Sequence, residues 1–152
     1  MTRYATEPDL EFLLLHDRHL TRPAMLAKIQ RQEVYVLEHQ GLPIGWARYN
    51  LFCDLIPFLT NIHVLGGCRR QGFGTRLIEH WEQEMRRLGF AVVLTSTQAD
   101  EDAQFFYRKL GYRDSGSLLL PGQPATEIVM SKSLEPADQG TGSGGEDATA
   151  QC

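Results

Sequence analysis

The sequence lacks the features of a membrane protein and of a disulfide-rich one. No uninterrupted apolar run is long enough to span a bilayer, and the first five residues have no apolar signal-peptide core. The only cysteines are Cys53, Cys68 and Cys152, which form neither an even framework nor a metal-ligand spacing. We therefore expect a cytoplasmic protein with no metal and no membrane partner.

Basic charge is also scarce. The formal net charge is −4, from 15 Lys and Arg against 19 Asp and Glu, and Glu135, Asp138, Glu146 and Asp147 account for the difference. Without a basic stripe that carries aromatic residues, we expect no nucleic-acid partner. Residues 135–152 are rich in Gly, Ser, Ala and Thr and have no hydrophobic periodicity. This composition predicts a disordered tail after one domain, residues 1–134.

The rest of the chain predicts helices and strands around one core. A chain of 152 residues with 42% hydrophobic content can bury one sizeable core. Periodicity predicts helices over about 8–16, 23–30, 73–88 and 100–110, and strands over 33–39, 44–52, 58–64, 91–94, 112–115 and 127–131. The third helix presents Phe73, Leu77, Ile78, Trp81, Met85 and Leu88 on one face. This order of elements indicates an α/β fold with a mixed sheet.

A cationic, glycine-containing segment joins the strand predicted over 58–64 to the helix predicted over 73–88. It contains Arg69, Arg70, Gly72 and Gly74. Glycines let the backbone approach a ligand closely, and the N–H groups of a helix's first turn favour an anion. The segment therefore predicts a diphosphate site, although glycines at a helix start also serve tight strand–helix packing.

Two nucleotide-binding templates fail at this segment. Four residues separate Gly67 from Gly72, as in a P-loop, but Phe73 and Gly74 follow where a P-loop needs Lys and then Ser or Thr. A dinucleotide fingerprint requires a third small residue where this chain has Leu77.

Two motifs carry a resemblance to a known family. Arg69-x-x-Gly72-x-Gly74 resembles the acetyl-CoA signature of the GNAT superfamily of N-acetyltransferases, Arg/Gln-x-x-Gly-x-Gly/Ala. Residues 100–112 resemble the family's later helix, Asn-x-x-Ala-x-x-Phe-Tyr-x-Lys-Leu-Gly-Phe, with Tyr112 replacing the last Phe and Asp100 replacing Asn. The residues that match in register are Ala103, Phe106, Tyr107, Lys109, Leu110 and Gly111.

Over roughly residues 1–134, the resemblance implies a GNAT-like α/β fold, a mixed, largely antiparallel twisted sheet with flanking helices. It implies an acetyl-CoA-dependent N-acetyltransferase, in which the amine of a small molecule or peptide attacks the thioester within a ternary complex. By register, Tyr107 would protonate the departing thiolate, although its helical spacing is also typical of a core aromatic residue. The implied acetyl-CoA-binding residues are Ile62, His63, Val64, Arg69, Arg70, Gln71, Gly72, Phe73, Gly74, Thr75 and Asp100.

The sequence leaves the general base and the acceptor site open. No carboxylate lies on the strand over 58–64 or at the end of the next strand, where several GNAT enzymes carry a Glu. His63 has a suitable pKa for a base, although a strand histidine is often structural. The substrate-binding candidates are Asn61 and Asp54. Asp54 would attract an ammonium group or simply occupy a turn. We expect Arg48 to lie along a solvated face.

Two other functions stay open at this stage. The missing strand carboxylate favours a non-catalytic acyl-CoA-binding or sensing module. A nucleotide-binding α/β domain that merely shares the diphosphate site is a weaker alternative. Exposed strand edges near the C-terminus are also compatible with a homodimer.

Overall fold

The computed structural model describes residues 1–134, and the predicted acidic tail, residues 135–152, lies outside the described residues. The helices are α1 (Leu10–His16), α2 (Arg22–Gln30), α3 (Phe73–Arg87) and α4 (Ala103–Lys109). The strands are β1 (Thr2–Tyr4), β2 (Val34–His39), β3 (Leu42–Phe52), β4 (Ile56–Val64), β5 (Val92–Gln98), β6 (Arg113–Leu118) and β7 (Glu127–Ser133). Short 3₁₀ turns at Glu7–Asp9 and Gly66–Cys68 precede α1 and follow β4.

The strands form one sheet in the order β1-β2-β3-β4-β5-β7-β6. All neighbouring pairs are antiparallel except β4 and β5, which are parallel. The parallel pair requires a crossover, and α3 provides it. The expected mixed, largely antiparallel sheet with flanking helices is confirmed.

The hairpin of β2 and β3 follows from local turn chemistry. Gln40 and Gly41 have φ values of 52° and 77°. Positive φ at both central residues matches the right-handed twist of the two strands, which favours a two-residue hairpin. The strand predicted over 44–52 therefore begins two residues earlier, at Leu42.

Strand β1 is not among the elements that the sequence predicts. Its three residues are too few to show a period, and its place depends on a partner that is distant in the sequence. Tyr4 pairs with Tyr35 of β2, and their rings stack 4.8 Å apart. The strand thus forms through cross-strand contacts that local propensity does not reveal.

The sheet separates two apolar clusters. Helix α3 covers one face, where Leu77, Trp81 and Met85 are fully buried. Helices α1 and α2 cover the other face, where Leu13 and Met25 are fully buried. The predicted apolar face of α3 is confirmed except at the residue that caps the helix, Leu88, which is 48% exposed.

Side chains of β3 alternate between these two clusters, with Trp46 toward α1 and α2 and Tyr49 toward α3. Within residues 1–134, no helix is both long and apolar enough to cross a membrane.

Candidate active site

Strands β4 and β5 separate part-way along the sheet. Their pairing consists of Phe58 with Leu94 and Leu59 with Thr95. Beyond this point β5 continues against β7 to Gln98, while β4 continues against β3 to Val64. A buried hydrogen bond of 3.1 Å, donated by the Thr95 hydroxyl to the Leu59 carbonyl, joins the strands where their pairing ends. The result is a V-shaped gap in the sheet.

An irregularity in β4 lies at the closed end of this gap. Arg48 pairs with Asn61 and Tyr49 pairs with Leu59, so Thr60 has no partner of its own and forms a β-bulge. The Thr60 hydroxyl donates to the Arg48 carbonyl at 3.1 Å and accepts from Arg48 Nη1 at 3.0 Å. These bonds hold the bulged segment against β3.

The far part of β4 presents an open backbone edge. Leu65 donates its N–H to the carbonyl of Ile44 on the β3 side. Because backbone groups alternate along an antiparallel strand, those of Val64 and Ile62 face the opposite side, where β5 has diverged. Apart from the Val64 carbonyl, which accepts from Arg69 Nε at 3.0 Å, this edge offers N–H and C=O groups to an extended, amide-containing ligand.

The start of α3 closes the open end of the gap. Gly72 is the N-cap residue in the left-handed conformation, with φ 79° and ψ 2°. A Cβ atom built on it would meet no other heavy atom within 4 Å, so the space there is open. No residue of the described chain accepts a hydrogen bond from the N–H groups of Phe73, Gly74 or Thr75. The geometry fits an anion.

A cleft of about 670 Å³ follows this path. It brings together nine of the predicted site residues: Ile62, His63, Val64, Arg69, Arg70, Gly72, Gly74, Thr75 and Tyr107. Cys68, Asp102, Ala103 and Phe106 complete its walls. Phe106 packs against α3, since its Cζ lies 3.4 Å from the place of a Cβ on Gly74. The second glycine of the motif therefore also serves helix packing.

Tyr107 is a buried member of this cleft, 5% exposed. Its ring packs edge-on against Tyr112, with centroids 5.5 Å apart. Burial raises the pKa of the Tyr107 phenol, and the side chain of Thr95 acts in the opposite direction. The phenol therefore stays protonated at neutral pH. It lies beside Thr95, the residue whose hydroxyl marks the closed end of the gap. Such a group can donate a proton.

His63 occupies the face of β4 that is turned toward α1. Its ring lies on Trp46, with centroids 4.6 Å apart, and Trp46 also contacts His16. Burial lowers the pKa of His63, and the charge of Arg69 and the nearby His16 lower it further. The imidazole is therefore neutral at pH 7 and able to accept a proton.

Arg48 contradicts the expectation of a solvated side chain. It is 8% exposed, and its Nε donates a 2.6 Å hydrogen bond to Oδ2 of Asp17, whose side chain is inaccessible. Burial alone would raise the pKa of Asp17, but the hydrogen bond and charge of Arg48 and the contacts of His19 outweigh it and lower the pKa. Asn61, predicted to bind substrate, lies 3.4 Å from the same carboxylate oxygen.

Besides Asn61, four predicted site residues lie outside the cleft walls. Asp54 has φ 59° in the turn between β3 and β4, at the opposite end of β4 from Val64, so the structure separates it from the gap. The Phe73 side chain is 7% exposed and belongs to the core. Gln71 is exposed and donates to the Gly67 carbonyl at 3.4 Å. Asp100 is exposed, and Asp102 lines the cleft instead.

Comparison with known sequences decides the family. The model of the acetyltransferase (GNAT) family matches residues 3–112. The chain belongs to the GNAT family. It is thus an acetyl-CoA-dependent acyltransferase. No curated protein sequence matches the chain significantly.

Solved structures of GNAT proteins have the same fold. The ribosomal-protein-S18-alanine N-acetyltransferase of Escherichia coli has 20% identity and a TM-score of 0.74, over 93% of this chain and 97% of that one. The yncA protein of Salmonella typhimurium, solved with acetyl-CoA, has 18% identity and a TM-score of 0.71, over 93% and 97%. Naa50 of Arabidopsis thaliana, solved with the bisubstrate analogue CoA-Ac-MVNAL, has 18% identity and a TM-score of 0.71, over 88% and 97%.

Proposed function

We propose that this GNAT protein transfers an acetyl group from acetyl-CoA to the amine of a peptide or small molecule. One observation carries the proposal: a single cleft joins the N-terminus of α3 to the buried phenol of Tyr107, along the unpaired edge of β4. Along the cleft, this arrangement would provide an anion site, then an amide-pairing edge and then a proton donor.

The donor-binding assignments follow from the chemistry of each wall. The first-turn N–H groups of α3, together with Arg69 and Arg70, would hold the diphosphate, because they supply positive potential in open space. The backbone groups of Ile62 and Val64 would pair with the amides of the pantetheine arm. Acetyl-CoA supplies an activated acyl group as a thioester.

The catalytic groups of the chain follow from the same geometry. An N–H of β4 near the bulge would polarise the thioester carbonyl, since a fixed donor stabilises the charge that develops on the oxygen. Tyr107 would protonate the leaving thiolate, because its raised pKa keeps the proton available.

Two segments beside the gap would form the acceptor site. The loop after α1 is held against the sheet by the buried pair of Asp17 and Arg48. Glu127 pairs with Gln98, which places the connection between β6 and β7 at the same end of the sheet. That connection begins with exposed Leu119 and Leu120, directly after exposed Leu118 at the end of β6. An acceptor with an apolar portion next to its amine fits this surface.

Peptide N-termini are the acceptors to test first. The Escherichia coli enzyme of similar fold acts on the alanine of a ribosomal protein, and the Arabidopsis structure contains a peptide portion. An α-amine also has a lower pKa, about 7.7–8.0, than a lysine side chain, so a larger fraction is already neutral.

The test is an acceptor screen that follows thiol release from acetyl-CoA. Peptides with free N-termini, the same peptides with blocked N-termini and one lysine, amino acids, polyamines and aminoglycosides form the panel. Free-N-terminus peptides should accelerate thiol release, and mass spectrometry should find one acetyl group on the α-amine. If acetyl-CoA binds but no amine in the panel is acetylated, the alternative of a non-catalytic acyl-CoA-binding module replaces this proposal.

The proposal includes a cytoplasmic location, which the low cysteine content supports. It also includes a homodimer. Strand β6 lies at the edge of the sheet, and all six of its residues are exposed. Light scattering on the purified protein measures the oligomeric state.

A further inference from the structure

The contact between Arg69 and His63 joins the predicted diphosphate motif to the face of β4 that is turned toward α1. Arg69 is the first residue of the predicted diphosphate motif, and His63 lies on β4 among the residues of the cleft. Granting the proposed acetyl transfer, on which this inference rests, the contact bears on how the acceptor amine loses its proton. A positively charged ammonium cannot attack a carbonyl, so one proton must leave before the reaction.

We propose that His63 accepts the proton of the incoming ammonium, and that Arg69 occupies its Nε2 lone pair until the diphosphate of the donor draws Arg69 away. The Arg69 side chain makes two contacts with β4. Its Nε donates to the Val64 carbonyl at 3.0 Å, and its Nη2 lies 3.4 Å from His63 Nε2.

The contact determines which nitrogen of His63 carries the proton. A guanidinium has only donors, so the nitrogen that faces it must present a lone pair. The neutral ring therefore carries its hydrogen on Nδ1, and Nε2 is the atom that can accept another proton. While Arg69 remains in place, protonation of Nε2 would bring two positive groups together.

The other groups around His63 are few among the described residues. From β3 the ring meets Trp46, which carries no charge, and from α1 His16 acts on it electrostatically. Further along the same sheet face, Asp17 and Arg48 neutralise each other. Among the described residues around His63, Arg69 is therefore the one permanently charged side chain that has no carboxylate partner.

A bound diphosphate would change this balance. Arg69 lines the same cleft as Arg70, Gly72 and Thr75, at the anion-binding start of α3. A diphosphate is a better acceptor for a guanidinium than a neutral imidazole is, because both partners of the bond are then charged. The negative charge also cancels the repulsion that lowers the pKa of His63. His63 thus becomes a stronger base once the donor is bound.

The proton balance of the step is complete. One proton passes from the ammonium to His63 Nε2 and then to solvent. The neutral amine forms the C–N bond, and the C–S bond breaks. The thiolate takes a proton from Tyr107, and the remaining surplus proton on the new amide nitrogen restores the phenol. The products are the N-acetylated acceptor, free CoA and one released proton.

Nuclear magnetic resonance of the His63 ring tests the coupling without measuring turnover. The imidazole signals are followed against pH in the free protein, with saturating CoA, and with pantetheine, which lacks the diphosphate. We expect the pKa of His63 to lie below 6.5 in the free protein, to rise with CoA and to remain unchanged with pantetheine. An equal shift with both ligands, or no shift with CoA, would overturn the coupling.

A pair of arginine variants provides the matched comparison. Arg69→Gln should raise the pKa of His63 in the free protein and abolish its response to CoA. Arg70→Gln, which removes an equal charge from the same cleft but no contact with His63, should leave the pKa of free His63 as in the wild type. If the two variants shift His63 equally, bulk charge and not the contact is responsible.

The role of His63 in proton transfer has a separate readout. In the wild type, kcat/KM should fall as the pH drops through the pKa of His63, since the charged ring cannot accept a proton. His63→Gln keeps an acceptor for Arg69 but should lose this acidic limb, together with about 10²-fold in kcat. An unchanged acidic limb would exclude His63 as the base. Failure of the acceptor screen would refute acetyl transfer but leave the magnetic resonance results interpretable.

Discussion

Arg48 Nε and Asp17 Oδ2 are joined by a 2.6 Å hydrogen bond, although 31 residues separate them in the sequence. The pair anchors the loop after α1 to β3, and Arg48 Nη1 extends the same network to the bulge residue Thr60. A buried ion pair of this kind positions two segments relative to each other. Replacing one partner leaves the other charge buried without compensation.

Asp17→Asn should therefore destabilise the protein by about 3–5 kcal/mol in the free energy of unfolding, measured by urea denaturation. Glu11→Gln, which breaks the exposed pair with Arg22, is the matched comparison and should leave the free energy of unfolding almost unchanged, because exposed ion pairs contribute little. Similar losses in both variants would contradict a special role for the buried pair.

The same carboxylate predicts a pH dependence. The pKa of Asp17 is lowered in the folded state, so its contribution to stability is complete above the ordinary value of 3.8. It disappears as the pH falls through the folded pKa. Denaturation curves recorded between neutral and acidic pH should show a smaller acid loss in Asp17→Asn than in the wild type, because the variant has no carboxylate to protonate there.

Tyr107→Phe should lower kcat by about 10²-fold or more while the dissociation constant for CoA, measured by calorimetry, hardly changes. The reason is that, in the role that we propose, the phenol contributes a proton and little binding energy. Tyr112→Phe is the control, since Tyr112 is equally buried but donates at 3.0 Å to Glu82 and does not line the cleft. That variant should lose about 1 kcal/mol of stability and keep its kcat. A kcat that is equal in both variants would leave Tyr107 with only a packing role.

Gly72→Ala should weaken CoA binding about tenfold or more, because the Cβ would enter the open space at the start of α3. Gly89→Ala is the comparison at the other end of the same helix, where φ is also positive, at 92°, and no atom lies within 4 Å of a built Cβ. Both changes should strain the backbone by about 1–2 kcal/mol, but only the first should affect CoA. Equal affinities would show that Gly72 serves the turn alone.

Truncation after Leu134 should leave the melting temperature unchanged, because the predicted tail contributes no hydrophobic periodicity to the core. Truncation after Ser133 should lower it by several degrees. Leu134 is 3% exposed, its N–H donates to the Ala91 carbonyl at 2.7 Å, and its carbonyl accepts from Arg86. Differential scanning calorimetry of the two proteins makes the comparison, and a lower melting temperature in the first would show that the tail contributes to folding.

Local patterns predicted most of the elements. The apolar spacing of Leu77, Trp81 and Met85 predicted α3 and its buried face, and the turn of Gln40 and Gly41 that closes the hairpin of β2 and β3 is equally local. These features depend on residues a few positions apart. The predicted strand over 91–94 was too short, because Thr95 and Thr97 are polar by type, yet both are buried in β5. Their environment comes from neighbouring strands and not from their own sequence.

The sequence by itself predicted the donor end that we propose for the cleft. The order of Arg69, Gly72 and Gly74 between a strand and a helix is enough to predict an anion site, because that chemistry is local. The tertiary structure decided where β4 leaves β5, that Arg48 is buried with Asp17, and that His63 touches Arg69 and Trp46. Strand pairing and ion-pair burial join residues far apart in the chain, and no local pattern encodes which partner each one meets.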